Sequence, residues 1–217
     1  IGLENLLVRG VHCHVGSQVF EEDVFQRTVD IMVRFMAQIR DELGYTLREL
    51  NLGGGYGTRY LESEKAPDIP ARIAEVAQRL REQCEKHAFP LPRVLMEPGR
   101  SIVADAGMTL YTVSSVKRIP GYKSYVAVDG GMTDNPRYAL CGSRYTVYHA
   151  EKDGGTEAVF DLVGRCCESG DIIQPEVHLP ENTCRGDHIA VCTTGAYNYS
   201  MASNYNRIPR PPVLMLT

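Results

Sequence analysis

The first hundred residues alternate between two spacings of apolar positions. Residues 6–16 change from apolar to polar at every second position, which predicts a β-strand. One face of this strand carries Val11, Cys13 and Val15, and the other carries His12 and His14. Residues 21–43 have apolar side chains at intervals of three and four, which predicts an amphipathic helix that ends at Gly44. The predicted apolar face of that helix consists of Phe25, Val29, Met32, Phe35, Ile39 and Leu43.

The same two patterns then repeat along the chain. A second strand reads RELNLGG, and a third strand reads RVLMEPG. Between them a second helix is expected from about Asp68, its cap, to Cys84, with Ile73 on its apolar face. Strands that alternate with helices in this way predict a parallel sheet with right-handed crossovers. Each strand ends in residues capable of chemistry, as at the carboxyl edge of an α/β barrel. Three strands cannot close a barrel, so residues 1–104 are expected to form the last part of one.

The pattern changes after about residue 105. The segments become short and rich in β-branched residues, and turns separate them, which predicts strands. These segments read MTLYTVSSVKRI, KSYVAVDGG, AVFDLVGRCCESG, DHIAVCTTGAY and PVLML. The predicted fold class is therefore α/β plus all-β: a partial (β/α)8 TIM-type barrel in residues 1–104 and a C-terminal β-domain in residues 105–217.

Composition narrows the class of protein. The formal net charge of -4 argues against a nucleic-acid partner, and no apolar stretch has the length of about 20 residues that a membrane helix needs. The seven cysteines are scattered without a CxxC pair, which favours a reducing cytoplasm over a disulfide framework. Strand alternation separates Cys13 from His12 and His14, so no metal site is expected there. The start at IGLENLLVRG has no signal peptide and is interpreted as an internal start.

Three groups of residues follow the predicted strands. Residues 53–57 (GGGYG) are typical of a backbone site for an anion or of a plain tight turn. Glu97, before Pro-Gly-Arg, is either a site carboxylate or a member of a surface salt bridge. His14, with Ser17 nearby, is either a site residue or a buried histidine bonded to the backbone. Taken singly, these residues leave both alternatives open.

Six motifs in one order are more specific. The chain reads GVHCHVGSQ, LNLGGGYG, EPGRSIVADAG, VDGGMTDNPRYAL, GRCCESGD and TTGAYNYSMASNYNRIPRPP. From Gly10 onward it resembles the fold-type III pyridoxal-phosphate-dependent decarboxylases, and CCESGD and GAYNYSMASNYN are most similar to the diaminopimelate decarboxylases. This resemblance implies pyridoxal 5'-phosphate as cofactor, a small amino-acid substrate and a homodimer with shared active sites. It also implies decarboxylation of meso-2,6-diaminopimelate to L-lysine.

The resemblance assigns the cofactor contacts. They fall on His14, Ser17, Gly53, Gly54, Gly55, Glu97, Gly99, Arg100 and Tyr197. Glu97 is expected to pair with the pyridine nitrogen, because a carboxylate keeps that nitrogen protonated and makes the ring a strong electron sink. An arginine stands at this position in the related racemases, so Glu97 favours decarboxylation. His12 lies deeper in its strand and is interpreted as structural.

The resemblance also assigns the substrate contacts. Cys167 is expected to donate the proton that replaces CO2, since a thiol with an ordinary pKa of about 8.5 gives up a proton readily near neutral pH. Its neighbour Cys166 is expected to point the other way in an extended strand. The remaining substrate contacts are Glu168 for the far ammonium, Arg100 and Arg137 for the far carboxylate, and Tyr197 and Cys141.

Two departures from the family keep alternatives open. Cys141 stands where the family usually has a substrate-contacting tyrosine, which leaves a decarboxylase of another diamino acid or polyamine precursor as an alternative. The lysine that carries the cofactor in the family lies upstream of these motifs, so this chain alone is expected to be inactive. The lysines present are Lys65, Lys86, Lys117, Lys123 and Lys152. A non-catalytic cofactor-binding homologue is the third alternative, and the intact catalytic set argues against it.

Overall fold

The computed structural model describes residues 2–216. Two compact units are present in this part of the chain. The first consists of residues 2–58 and 66–101, and the second of residues 59–65 and 102–216. The domain boundary expected from the sequence, between residues 104 and 105, stays a prediction. It does not include residues 59–65 in the second unit.

The first unit is a parallel three-stranded sheet with helices between its strands. In chain order it contains β1 (Gly10–His12), α1 (Val24–Leu43), β2 (Glu49–Asn51), α2 (Ile69–Lys86) and β3 (Arg93–Leu95). The strand order is β1-β2-β3, and both pairs are parallel. His12 is in register with Asn51, and Asn51 with Leu95, so the three carboxyl ends lie at one edge. The predicted α/β part is confirmed.

Helix α1 ends where the sequence indicates, and its predicted apolar face is only partly right. Gly44 follows it with a φ of 62°, the left-handed conformation that glycine adopts without strain. The buried residues of α1 are Phe25, Thr28, Val29, Met32, Val33, Met36 and Ala37. The prediction is wrong for Phe35, which is 46% exposed, and for Leu43. Spacings of three and four fit two neighbouring stripes of one helix, and in the second half of α1 packing against the core around Leu50 buries Val33 and Met36 instead of Phe35 and Leu43.

Helix α2 begins at the predicted cap. The Asp68 carboxylate accepts a hydrogen bond from the Ala71 amide at 3.0 Å, which satisfies one of the unpaired donors of the first turn. The helix buries Val76, Leu80 and Cys84, whereas Ile73 is exposed, contrary to prediction. Val11, Cys13 and Val15 pack against the same core, which confirms the predicted strand face. No helix in residues 2–216 is long and apolar enough to cross a membrane.

The second unit is built on a six-stranded sheet with the order β6-β9-β4-β5-β7-β8. Its strands are β4 (Thr109–Arg118), β5 (Ser124–Val128), β6 (Val147–His149), β7 (Glu157–Val163), β8 (Ile172–Pro180) and β9 (His188–Val191). The short helices outside the first unit's sheet are α3 (Arg100–Val103), α4 (Arg137–Cys141), α5 (Asn198–Met201) and a 3-10 turn (Tyr205–Arg207). All strand pairs are antiparallel except β5–β7. The predicted β-domain is confirmed.

The sequence prediction missed two strands of this unit and was wrong for two segments. Strand β6 is one of the missed strands. Strand β8 was not predicted, because it contains Pro175, which cannot donate to a strand ladder. The strand tolerates this residue through a register shift against β7, and Glu176 adopts a φ of 55°. Residues 212–216 were expected to form a strand but have no regular structure. Residues 164–170, expected to be extended around Cys166, form a turn instead.

The core of the second unit supplies a first prediction. Leu162 is 0% exposed in β7, whereas Val159 of the same strand is 49% exposed. Leu162→Ala should lower the free energy of unfolding of this unit by about 2–5 kcal/mol, because the lost methyl groups leave a cavity. Val159→Ala, the matched control, should cost at most about 1 kcal/mol. Urea unfolding followed by hydrogen exchange of β5, β7 and β8 measures both, and equal losses would contradict the burial of Leu162.

Candidate active site

The glycine turn after β2, residues 53–55, packs closely against two neighbouring backbone segments of the first unit. A Cβ atom on Gly54 would lie 2.2 Å from the Glu97 carbonyl oxygen, and one on Gly55 would lie 2.0 Å from the Gly16 carbonyl oxygen. Gly53 and Gly55 also have φ values of 66° and 99°, which side-chain-bearing residues rarely adopt. The turn therefore requires glycine for two reasons, and it brings the segments after β1, β2 and β3 together.

His14 is fixed against this turn. The Gly54 amide donates to His14 Nδ1 at 3.3 Å, so Nδ1 is an acceptor and a neutral ring carries its proton on Nε2. The neighbouring Gly53 amide donates to Asn51 Oδ1 at 2.9 Å. Of the Gly53, Gly54 and Gly55 amides, the first two thus already have acceptors inside the protein.

Glu97 is held by a residue that the sequence interpretation missed. Asn51 Nδ2 donates to Glu97 Oε1 at 2.7 Å, while Asn51 Oδ1 accepts from the glycine turn. The available signal was an amide side chain at a strand end, separated by one residue from three glycines. His12 Nε2 lies 3.7 Å from Glu97 Oε2, so His12 stands at this edge rather than remote from it, as its register with Asn51 requires.

The last segment of this edge follows β3. Arg100 is buried, and its Nη2 donates to Ser17 Oγ at 3.1 Å. Nothing lies within 4 Å of a Cβ placed on Gly99, so this position has room for a side chain. The first unit therefore brings His14, Ser17, Gly53, Gly54, Gly55, Glu97, Gly99 and Arg100 to one edge of its sheet.

In the second unit, Arg137 and Cys141 begin and end helix α4. The Arg137 guanidinium carbon lies 5.4 Å from the centre of the Tyr197 ring, and Nη2 donates to Ser143 Oγ at 3.4 Å. The Cys141 thiol donates to the Arg137 carbonyl oxygen at 3.0 Å and lies 3.3 Å from Ser143 Oγ. Cys141 is exposed and is tied back onto its own helix, and Ser143 is a neighbour that the sequence interpretation missed.

Cys166 and Cys167 differ in their surroundings. Cys167 is exposed, and its amide donates to Asn206 Oδ1 at 3.1 Å. Cys166 is half-buried, and burial, together with the nearby charge of Asp171, raises the pKa of its thiol to about 11. Glu168 Oε1 accepts from the Gly170 amide at 3.2 Å, within the same turn. Cys167 and Glu168 are therefore presented on a turn outside the strands.

Comparison with known proteins shows which proteins this chain is similar to. Residues 1–104 match the family described as "Pyridoxal-dependent decarboxylase, pyridoxal binding domain". The resemblance predicted from the sequence is confirmed. The diaminopimelate decarboxylase of Bacillus subtilis (strain 168) is 42% identical over 214 residues, which are 98% of this chain and 48% of that protein. The chain thus spans about half the length of the curated relatives that it matches.

Solved structures agree with this family. The diaminopimelate decarboxylase of M. jannaschii in complex with L-lysine superposes with a TM-score of 0.86 at 32% identity, covering 94% of this chain and 45% of that one. The lysine/ornithine decarboxylase of Vibrio vulnificus complexed with putrescine gives a TM-score of 0.80 at 25% identity, covering 93% and 53%. The decarboxylase fold is therefore shared beyond one substrate.

The edge of the first unit fits the family's cofactor, pyridoxal 5'-phosphate. A phosphate requires backbone or cationic donors, and the glycine turn and the segment around Arg100 supply both kinds. A protonated pyridine nitrogen requires a carboxylate acceptor, and Glu97 is such a group, oriented by Asn51. The flat imidazole of His14 is fixed beside them by Gly54. The residues present match the donors and acceptors of this cofactor.

The glycine turn supplies a second prediction. Gly54→Ala should lower the free energy of unfolding of the first unit by about 1–3 kcal/mol, because the alanine Cβ meets a backbone carbonyl that cannot rotate away. Gly99→Ala, the matched control, should change it by less than about 1 kcal/mol because the position is open. Chemical unfolding with hydrogen exchange over residues 49–57 measures both variants. A Gly54→Ala chain as stable as the Gly99→Ala chain would refute the close approach.

Proposed function

We propose that this chain is part of a pyridoxal-phosphate-dependent enzyme that converts meso-2,6-diaminopimelate to L-lysine and CO2. The identity of 42% over 98% of the chain to a diaminopimelate decarboxylase carries this proposal. In the reaction, the bond between a carboxylate and its α-carbon breaks, and a proton takes the place of CO2 on that carbon. The chain's own residues must therefore bind the cofactor, hold the far end of the substrate and deliver a proton.

We assign cofactor binding to the edge of the first unit. When bound, pyridoxal phosphate supplies the electron sink that stabilises the negative charge left by CO2. Glu97 would accept a hydrogen bond from the protonated pyridine nitrogen, and Asn51 keeps the Glu97 carboxylate in place. Because the Gly53 and Gly54 amides already donate within the protein, we assign the phosphate chiefly to Gly55, Gly99, Arg100 and Ser17. The family resemblance adds the Tyr197 hydroxyl to these contacts.

We assign the proton and the grip on the substrate to the second unit. Cys167 donates the proton, since its side chain is exposed whereas the thiol of Cys166 is half-buried and has a raised pKa. Glu168 binds the far ammonium, and Arg137 binds the far carboxylate. The Tyr197 ring and Ser143 restrict the Arg137 guanidinium, which favours a bidentate geometry. The resemblance also assigns Arg100 to this carboxylate.

Cys141 keeps a second candidate function open. The Cys141 thiol donates a hydrogen bond to the Arg137 carbonyl oxygen, and this side chain is shorter than the tyrosine side chain that the family has there. The similarity to the lysine/ornithine decarboxylase of Vibrio vulnificus shows that the fold also serves smaller diamino acids. The second candidate is therefore a decarboxylase of another diamino acid.

The complete protein is proposed to be a cytoplasmic homodimer with shared active sites. All seven cysteines, each within the described residues, are free, which suits a reducing compartment. The barrel is proposed to be of the TIM type. Its other strands are proposed to correspond to the half of the relatives that this chain does not span.

A chimera tests the proposed reaction. The part of the Bacillus subtilis relative that the match leaves uncovered is joined ahead of this chain, and CO2 release is measured with meso-diaminopimelate, ornithine and lysine. Diaminopimelate should be the preferred substrate, with a kcat/KM at least about tenfold above the others, or about 1.4 kcal/mol. Preference for ornithine or lysine would replace the proposal with the second candidate. No CO2 from any of them, from a folded chimera that binds the cofactor, would refute both.

The shared site gives a fourth prediction, tested in the same chimera. Glu97→Gln should lower kcat at least about tenfold, since a neutral amide no longer keeps the pyridine nitrogen protonated, while Glu85→Gln on the exposed face of α2 should not.

A 1:1 mixture of Glu97→Gln and Cys167→Ala subunits, unfolded and refolded together, should regain about a quarter of wild-type activity, because half the dimers have one intact site. A mixture that contains heterodimers by mass but stays inactive would contradict shared sites.

A further inference from the structure

The turn that carries Cys167 and Glu168 is organised around one buried carboxylate. Asp171 is 4% exposed, although aspartate is rarely buried without partners. Its Oδ2 accepts from the Cys166 amide and its Oδ1 from the Met132 amide, both at 2.6 Å. The Asp171 side chain is therefore hydrogen-bonded to two loops, residues 164–170 and residues 130–135.

The two loops leave a space that only this carboxylate fills. A Cβ atom on Gly164 would lie 2.3 Å from Asp171 Oδ2, and one on Gly131 would lie 2.5 Å from Oδ1. Gly131 also has a φ of 157°, at the edge of the range that side chains rarely adopt. Glycine at both positions lets the backbone approach the carboxylate closely enough for short, charge-assisted hydrogen bonds.

The backbone of Asp171 closes the turn as well. Its amide donates to the Glu168 carbonyl oxygen at 3.1 Å, and its carbonyl oxygen accepts from the Gly164 amide at 2.9 Å. Side chain and backbone thus fix residues on both sides of Cys167. Asn206 provides the remaining anchor through the Cys167 amide.

We infer that Asp171 is a positioning residue that fixes the turn so that Cys167 faces outward and Cys166 inward. This inference rests on the proposed function only in giving Cys167 the role of proton donor. The raised pKa of Cys166, caused by burial and then by the charge of Asp171, agrees with the geometry. The substitution that removes the charge and one acceptor without changing shape is Asp171→Asn, since an amide nitrogen cannot accept from a backbone N–H.

Alkylation of the 217-residue chain with iodoacetamide tests the inference, with fragment ions in mass spectrometry separating the two adjacent cysteines. In the unsubstituted chain Cys167 should react at least about tenfold faster than Cys166. In Asp171→Asn this ratio should fall below about threefold, because both thiols then sample the same environments. The control is Asp161→Asn, which removes another buried carboxylate that accepts a backbone hydrogen bond, from Glu176, and pairs with Lys123; neither of these partners lies in the two loops.

Each outcome decides the inference. An unchanged ratio in Asp171→Asn would overturn it, and so would an equal loss in Asp161→Asn, which would indicate general loosening. Should Asp171→Asn not fold, the unsubstituted chain decides through the amides of Met132 and Cys166. These should exchange with solvent at least about tenfold more slowly than their intrinsic rates, and exchange at the intrinsic rate would overturn the inference.

The chimera separates this inference from the proposed function. Asp171→Asn should lower kcat at least about tenfold, because a misplaced proton donor slows the chemical step, and it should also raise KM, because the same turn carries Glu168, to which substrate binding is assigned. Asp161→Asn should leave kcat within about threefold of wild type. A chimera without any decarboxylase activity would count against the proposed function, while the alkylation ratio would still decide the role of Asp171.

Discussion

The close approach of three backbone segments at the glycine turn is the constraint on which the first unit's site depends. The Glu97 and Gly16 carbonyl oxygens occupy the positions that side chains on Gly54 and Gly55 would need. This contact holds the ends of three parallel strands together, so residues far apart in sequence share one edge. The hydrogen bonds from the turn to His14 and Asn51 then orient the imidazole and, through Asn51, the carboxylate of Glu97.

The second unit orients its reactive side chains by a different device. Its turn around Cys167 follows no regular strand, and a buried carboxylate rather than strand register fixes its backbone. Arg137 is held in turn by an aromatic ring and a hydroxyl. The first unit suits a cofactor that needs fixed amides and one carboxylate, whereas the second unit carries the thiol, carboxylate and guanidinium to which the proposed function assigns the substrate. The division follows from what a parallel strand edge and a β-domain loop can each present.

Sequence patterns predicted the features that periodicity and turn chemistry determine. The alternation around Cys13, the cap at Asp68 and the glycine that ends α1 are all found in the structure. Periodicity could not select which stripe of α1 faces the sheet, so Phe35 was misplaced, and Pro175 concealed a strand that a bulge makes possible. The family resemblance, rather than any pattern, supplied the roles proposed for the site.

The residues that the sequence did not indicate are those that act through others. Asn51 and Asp171 act through backbone amides and through the Glu97 carboxylate, and Glu97 and Met132 lie about 40 residues or more from them along the chain, where no local pattern reveals the contact. Both are short polar residues placed beside glycines that leave room for them. A polar residue adjacent to several glycines is therefore the signal that a sequence offers for such positions.

Hydrogen exchange of the chimera with and without pyridoxal phosphate tests most directly whether the strand ends form one cofactor site. Cofactor binding should slow exchange in the three segments 14–17, 53–57 and 97–101 together, because their amides lie at one edge. Exchange in α2 should not change. A chimera that binds the cofactor with no added protection in these segments, or with protection in only one of them, would contradict the account.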